Sequence, residues 1–134
     1  MSSTTYNITP GRFSRELPVT TQAHFKSSTA STNATSVRGS AGSVFNIIIH
    51  NTHGGGGSGS SIALKFYDKA TAPVVGTDVP IIIIHVPSND SKEINFTSGI
   101  TFKNGIAYSI TAGNALLDTT PVDADGVQIY IGYI

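Results

Sequence analysis

From residue 37 to the C-terminus, short apolar runs of period two recur, each closed by Gly, Pro, Asn or Asp. Successive side chains of a strand point to opposite faces, so this alternation predicts half-buried β-strands. In residues 61–67, Ile62, Leu64 and Phe66 fall on one face and Ala63, Lys65 and Tyr67 on the other. Ile94 and Phe96 share the inward face of 92–96, and residues 106–111 alternate in the same way. Val127, Ile129, Ile131 and Tyr133 share one face of the closing run, and residues 44–49 form a β-branched and aromatic run. The breaks fit strand connections: a glycine-rich tip at 54–59, a Pro-punctuated link at 73–80, a turn at 87–90 and Asn104-Gly105. Six or seven strands are expected, with a helical turn hinted only at 115–117. This spacing predicts an all-β domain, an antiparallel β-sandwich of jelly-roll-like or Ig-like type.

One run breaks the alternation. Ile81, Ile82, Ile83 and Ile84 are apolar on both faces, which means burial on both sides. In a two-layer sandwich one face of each strand points outward, so either Ile81 and Ile83 or Ile82 and Ile84 need a cover. Leaving two such side chains in water forgoes roughly 1.5–3 kcal/mol each. A subunit interface, the N-terminal segment or a long local loop would supply that cover, and the four isoleucines are interface candidates.

Residues 1–36 read differently. Ser, Thr and Asn dominate, and the apolar residues are scattered without period. Such a segment buries too little apolar area to offset its ordering entropy. The expectation is an extended arm over 1–36, with Tyr6, Phe13, Leu17 and Phe25 as spaced anchors on a partner, followed by a sandwich over 37–134. A disordered tail is the alternative.

Composition narrows the function. The 134 residues carry eight basic and eight acidic side chains, only 12% charged, with net charge zero. That balance argues against a nucleic-acid binder working by phosphate neutralisation. So little surface charge also gives weak protection against association. There is no cysteine for a disulfide, thiolate site or thiol nucleophile. Residues 1–5 show no export signal, and the sequons at Asn7, Asn33, Asn89 and Asn95 read as chance matches in a Ser/Thr-rich chain. The longest apolar run is far too short to span a bilayer.

Candidate chemistry is sparse. His50 and His53 have a spacing that places them on opposite faces of a strand, and no Cys, Asp or Glu nearby completes a metal set. The glycine stretch at 54–59 lacks the Lys-Ser/Thr ending and following helix of a phosphate cradle. Asp123-x-Asp125-Gly126 resembles the core of a calcium loop, but Gly132 stands where the closing glutamate belongs. No pair of carboxylates is marked for acid–base work. The expectation is no enzyme, no metal and no cofactor.

One segment is more specific. Lys65-Phe66-Tyr67-Asp68-Lys69 runs into Ala70-Thr71-Ala72-Pro73-Val74-Val75-Gly76-Thr77-Asp78-Val79-Pro80, followed by an apolar strand over 81–86. The strand at 93–96, the Gly105-Ile106-Ala107-Tyr108-Ser109-Ile110-Thr111 step and the 118–122 linker follow in order. This succession resembles small β-sandwich virion structural proteins of tailed bacteriophages, over roughly residues 37–134. The resemblance implies a non-enzymatic capsid decoration, or cement, protein on the outer capsid surface. It further implies a homotrimer bound to the major capsid protein, without nucleic acid or membrane. A neck or tail adaptor, and a receptor- or carbohydrate-binding module of a tail fibre, are the alternatives.

Overall fold

The computed structural model describes residues 21–52 and 61–134. Eight strands follow in order: β1 (Gln22–Ser27), β2 (Thr35–Arg38), β3 (Gly42–Asn51), β4 (Ile62–Asp68), β5 (Ile82–Val86), β6 (Asp90–Phe102), β7 (Ile106–Thr111) and β8 (Val127–Tyr133). Among the described residues there is no helix. The stretch over 115–118 is a turn, in which the Asp118 N–H donates to the Ala115 carbonyl at 3.1 Å.

One sheet has the order β1-β8-β3-β6 and the other β2-β7-β4-β5, with every pair antiparallel. Only the β4–β5 connection stays within a sheet; every other link crosses the sandwich. That is the eight-stranded jelly roll, and it sets aside the Ig-like alternative, whose sheets divide the strands differently. Between the sheets, Ile47, Ile49, Ile129 and Ile131 from one layer meet Leu64, Phe66, Tyr108 and Ile110 from the other, all at most 1% exposed. The Phe66 ring lies 6.1 Å from Phe102 and 6.2 Å from Tyr108, in tilted contacts suited to aromatic quadrupoles.

The domain boundary expected at residue 36 is corrected. The sandwich begins at β1, which pairs along its whole length with β8, from Gln22↔Tyr133 to Ser27↔Gln128. β2 likewise pairs with β7. The polarity of β1 is inverted, which hid it from the pattern: His24 and Lys26 stand opposite core residues Ile131 and Ile129 and so face inward. His24 Nε2 lies 2.9 Å from the Tyr108 hydroxyl, and Lys26 Nζ donates to Thr35 Oγ1 at 3.0 Å. These bonds stack the β1 edge over β2 and β7. Phe25 points outward and is no arm anchor; its ring packs on Tyr130, its cross-strand partner, at 4.6 Å. The other anchors, Tyr6, Phe13 and Leu17, lie outside the described residues.

The β6–β7 turn shows why a glycine stands at 105. A side chain there would meet the Lys69 carbonyl at 2.5 Å and the Arg38 carbonyl at 2.7 Å. Asp68 Oδ1 accepts the Asn104 and Gly105 N–H groups at 2.7 and 3.4 Å, tying this turn to the end of β4.

The inward histidine gives a pH signature. Burial, and secondarily the Lys26 ammonium, hold the His24 pKa below its ordinary value of 6.5. The unfolded chain therefore binds more protons just below that value, so stability is present above about pH 6.5 and declines as pH falls through it. Asp68 and Asp78 are shifted below the ordinary carboxylate value by the hydrogen bonds they accept, so their contribution is lost at lower pH still. Urea midpoints are expected to fall from about pH 7.5 to about pH 5 in the native chain and to stay nearly level in His24→Gln. Equal slopes in the two proteins would contradict this assignment.

Candidate interaction face

The outer side of the β2-β7-β4-β5 sheet is not a solvent face. Ala63, Lys65 and Tyr67 on β4 oppose Thr111, Ser109 and Ala107 on β7, and all six outward positions are at most 2% exposed. Loops that leave opposite ends of the sheet, residues 69–81 after β4 and residues 112–120 after β7, lie over them: Lys65 bonds to Ala115 and Asp118, and Gly76 stands against Thr119. The expected alternation of β4 is correct as to face, but its outward face lies beneath a third layer.

The chemistry of that layer starts at Lys65. Its side chain is fully buried, and Nζ donates to the carbonyls of Ala115 at 2.8 Å and Asp118 at 3.3 Å. Burial lowers the Lys65 pKa, and the nearby Asp118 charge opposes that shift. Beside it the hydroxyls of Tyr67 and Ser109 are 3.0 Å apart, and burial raises the Tyr67 pKa. Above it Asp118 organises the loop: Oδ2 accepts the Gly113 and Thr120 N–H groups at 3.0 and 2.9 Å, and Oδ1 accepts Thr120 Oγ1 at 3.0 Å. Burial would raise the Asp118 pKa, but these hydrogen bonds and Lys65 leave it below the ordinary value.

The 69–81 loop is closed by its own carboxylate. Asp78 Oδ2 takes the Lys69 ammonium at 2.5 Å and the Val74 N–H at 2.7 Å, and the Asp78 N–H returns to the Val74 carbonyl at 2.8 Å. The loops meet at Gly76, where φ is +95° and a Cβ would stand 2.7 Å from the Thr119 methyl. A side chain at 76 would be strained and would push the loops apart.

Between exposed polar residues such as Thr77, Asn114 and Thr119, this layer presents large aliphatic side chains outward. Val74, Val79, Ile81, Leu116 and Leu117 are 46–63% exposed, and they are five of the seven large exposed hydrophobics among the described residues. The structure resolves the isoleucine alternatives. Ile82 and Ile84 pair with Phe66 and Leu64 and pack on the core, whereas Ile83 sits opposite Lys65 and faces outward beside Ile81. Loops cover the sheet centre but leave Ile81 open and Ile83 half-buried. β5 is also a sheet edge.

The other motifs have structural surroundings. The 123–126 segment is a turn with Asp125 at φ 58°; Ser27 Oγ donates to Asp125 Oδ1 and Ser28 Oγ to the Asp123 carbonyl, which locks the end of β1 against β8. His50 Nδ1 lies 2.7 Å from Ser91 Oγ, and His85 is exposed on β5. His53 and the glycine stretch fall outside the described residues. Among the described residues no three metal-ligating side chains converge and no pocket is present. The opposite face of the sandwich, outside the β1-β8-β3-β6 sheet, carries the exposed pair Phe25 and Tyr130, with His50 6.2 Å from Tyr130.

No family model matches the chain, and no curated protein matches it. Among solved structures, the Tobacco streak virus coat protein aligns over 90% of this chain and 90% of its own, at 12% identity and a TM-score of 0.40. The jelly-roll assignment rests on strand order and pairing.

Replacing Lys65 by Met fills the volume but leaves the Ala115 and Asp118 carbonyls without their donor. Such a loss costs about 1–3 kcal/mol. Chemical denaturation of Lys65→Met is expected to show a loss of that size, with faster proteolytic cleavage within 113–120. Unchanged stability and cleavage would remove Lys65 as the anchor of the layer.

Proposed function

We propose that this is a non-enzymatic virion structural protein, a capsid decoration protein that binds the outer shell as an oligomer. The observation that carries the reading is the loop-built apolar face. Its two covering loops are fixed by a buried ammonium and two carboxylates, and what they present is a cluster of exposed aliphatic side chains. Clustered exposed apolar surface marks protein contact sites. The resemblance of residues 65–80 to tailed-phage virion proteins points the same way, and jelly rolls recur in viral capsid domains. Fold alone does not decide function, so the face and the motif together support the reading.

A carbohydrate-binding module is the second reading, favoured by the exposed Phe25–Tyr130 pair on the opposite sheet. Aromatic faces of that kind can stack on sugar rings. Defined hits on a glycan array that vanish in Tyr130→Ala would support it.

Two measurements test the first reading. Protein quantification on purified virions is expected to give on the order of hundreds of copies per particle, against about a dozen for a neck or tail ring. Light scattering at micromolar concentration is expected to give a trimer, and Val79→Ser with Leu117→Ser to shift it toward monomer while leaving the fold intact. Absence from virions, or a monomer at every concentration, would overturn the proposal.

A further inference from the structure

We propose that the loop-built apolar face is the dock for residues 1–20 of a neighbouring copy of this chain. The inference rests on the oligomeric reading above and names the occupant of its contact face.

Three observations carry it. First, the segment is long enough and suitably composed. Residues 1–20 hold Tyr6, Ile8, Phe13, Leu17 and Val19 between polar residues, with Pro10 and Pro18 favouring an extended course. The face offers matching aliphatic groups at Val74, Val79, Ile81, Leu116 and Leu117.

Second, the charges are compatible. The segment carries Arg12 and Arg15 against Glu16, and on the face Asp78 is paired with Lys69 and Asp118 lies near the buried Lys65, so no unpaired cation opposes the two arginines.

Third, the point of departure favours a neighbour over the same copy. The segment leads into β1, which stacks over β2, whereas Ile81 and Ile83 lie by β5 at the far edge of that sheet. Three inter-strand steps of about 4.8 Å and one inter-sheet step of about 10 Å separate them, roughly 24 Å. An intramolecular path would consume roughly seven residues at about 3.3 Å each, using Leu17 and Val19 as spacer. On a neighbour all five apolar residues can reach the face. Such a contact is head-to-tail, and it closes into a ring when the rotation permits.

The experiment uses the full chain with a photo-crosslinking phenylalanine analogue at position 13, prepared as a mixture of isotopically light and heavy copies. Crosslinks from position 13 to peptides containing Val79 or Leu116–Leu117, joining light to heavy copies, are the expected result. Phe13→Ser with Leu17→Ser in the full chain is expected to weaken association roughly ten- to a hundredfold per anchor lost. Crosslinks confined to one copy, crosslinks to other surfaces, or an unchanged association constant in the double variant would overturn the inference. If virions contain the protein at high copy number while the crosslinks fall elsewhere, only this inference fails. If the crosslinks appear as stated but virions lack the protein, the virion reading fails and this one stands.

Discussion

A buried ammonium anchors the loop layer of this jelly roll. Lys65 sits at the centre of the outer face of the β2-β7-β4-β5 sheet with no solvent exposure. A charge removed from water is tolerable only when hydrogen-bonded, and the partners here are two backbone carbonyls of the β7–β8 loop. The loop is therefore bound to the sheet, and Asp118 fixes its internal shape. The β4–β5 loop then completes the layer through the close approach at Gly76. The six outward positions of β4 and β7 are buried as a consequence, and the exposed aliphatic groups are carried on top.

The two faces of the sandwich consequently differ in kind. The β1-β8-β3-β6 side keeps the ordinary character of an antiparallel sheet facing water, with one exposed aromatic pair among the described residues. The β2-β7-β4-β5 side is covered by loops that expose five large aliphatic side chains. This asymmetry makes the two faces of the sandwich chemically distinct.

Much of the fold was legible because period-two alternation encodes strand faces directly. It placed the inward residues of β4, β7 and β8 correctly, and in the 81–84 run it left open which pair faces outward; Ile82 and Ile84 turn inward, while Ile81 is open and Ile83 half-buried. Alternation specifies a face but not what lies above it, so Lys65 and Tyr67 read as outward without any sign that loops bury them. β1 was illegible for a related reason: its inward side chains, His24 and Lys26, are polar and satisfied by Tyr108 and Thr35, while Phe25 points to water. A segment whose polarity is inverted looks like an arm until its pairing with β8 is seen. The exposed aliphatic positions were half legible. Ile81 and Ile83 were among the candidates, but Val74, Val79, Leu116 and Leu117 belong to loops, where sequence period carries no information.

The account turns on the loop layer being the surface that meets other protein. Amide hydrogen exchange compared between the free protein and assembled particles tests this most directly. Residues 74–83 and 113–120 are expected to become strongly protected on assembly, with the outer face around Phe25 and Tyr130 unchanged. Protection confined to the Phe25–Tyr130 face, with the loop layer exchanging as in the free protein, would contradict it.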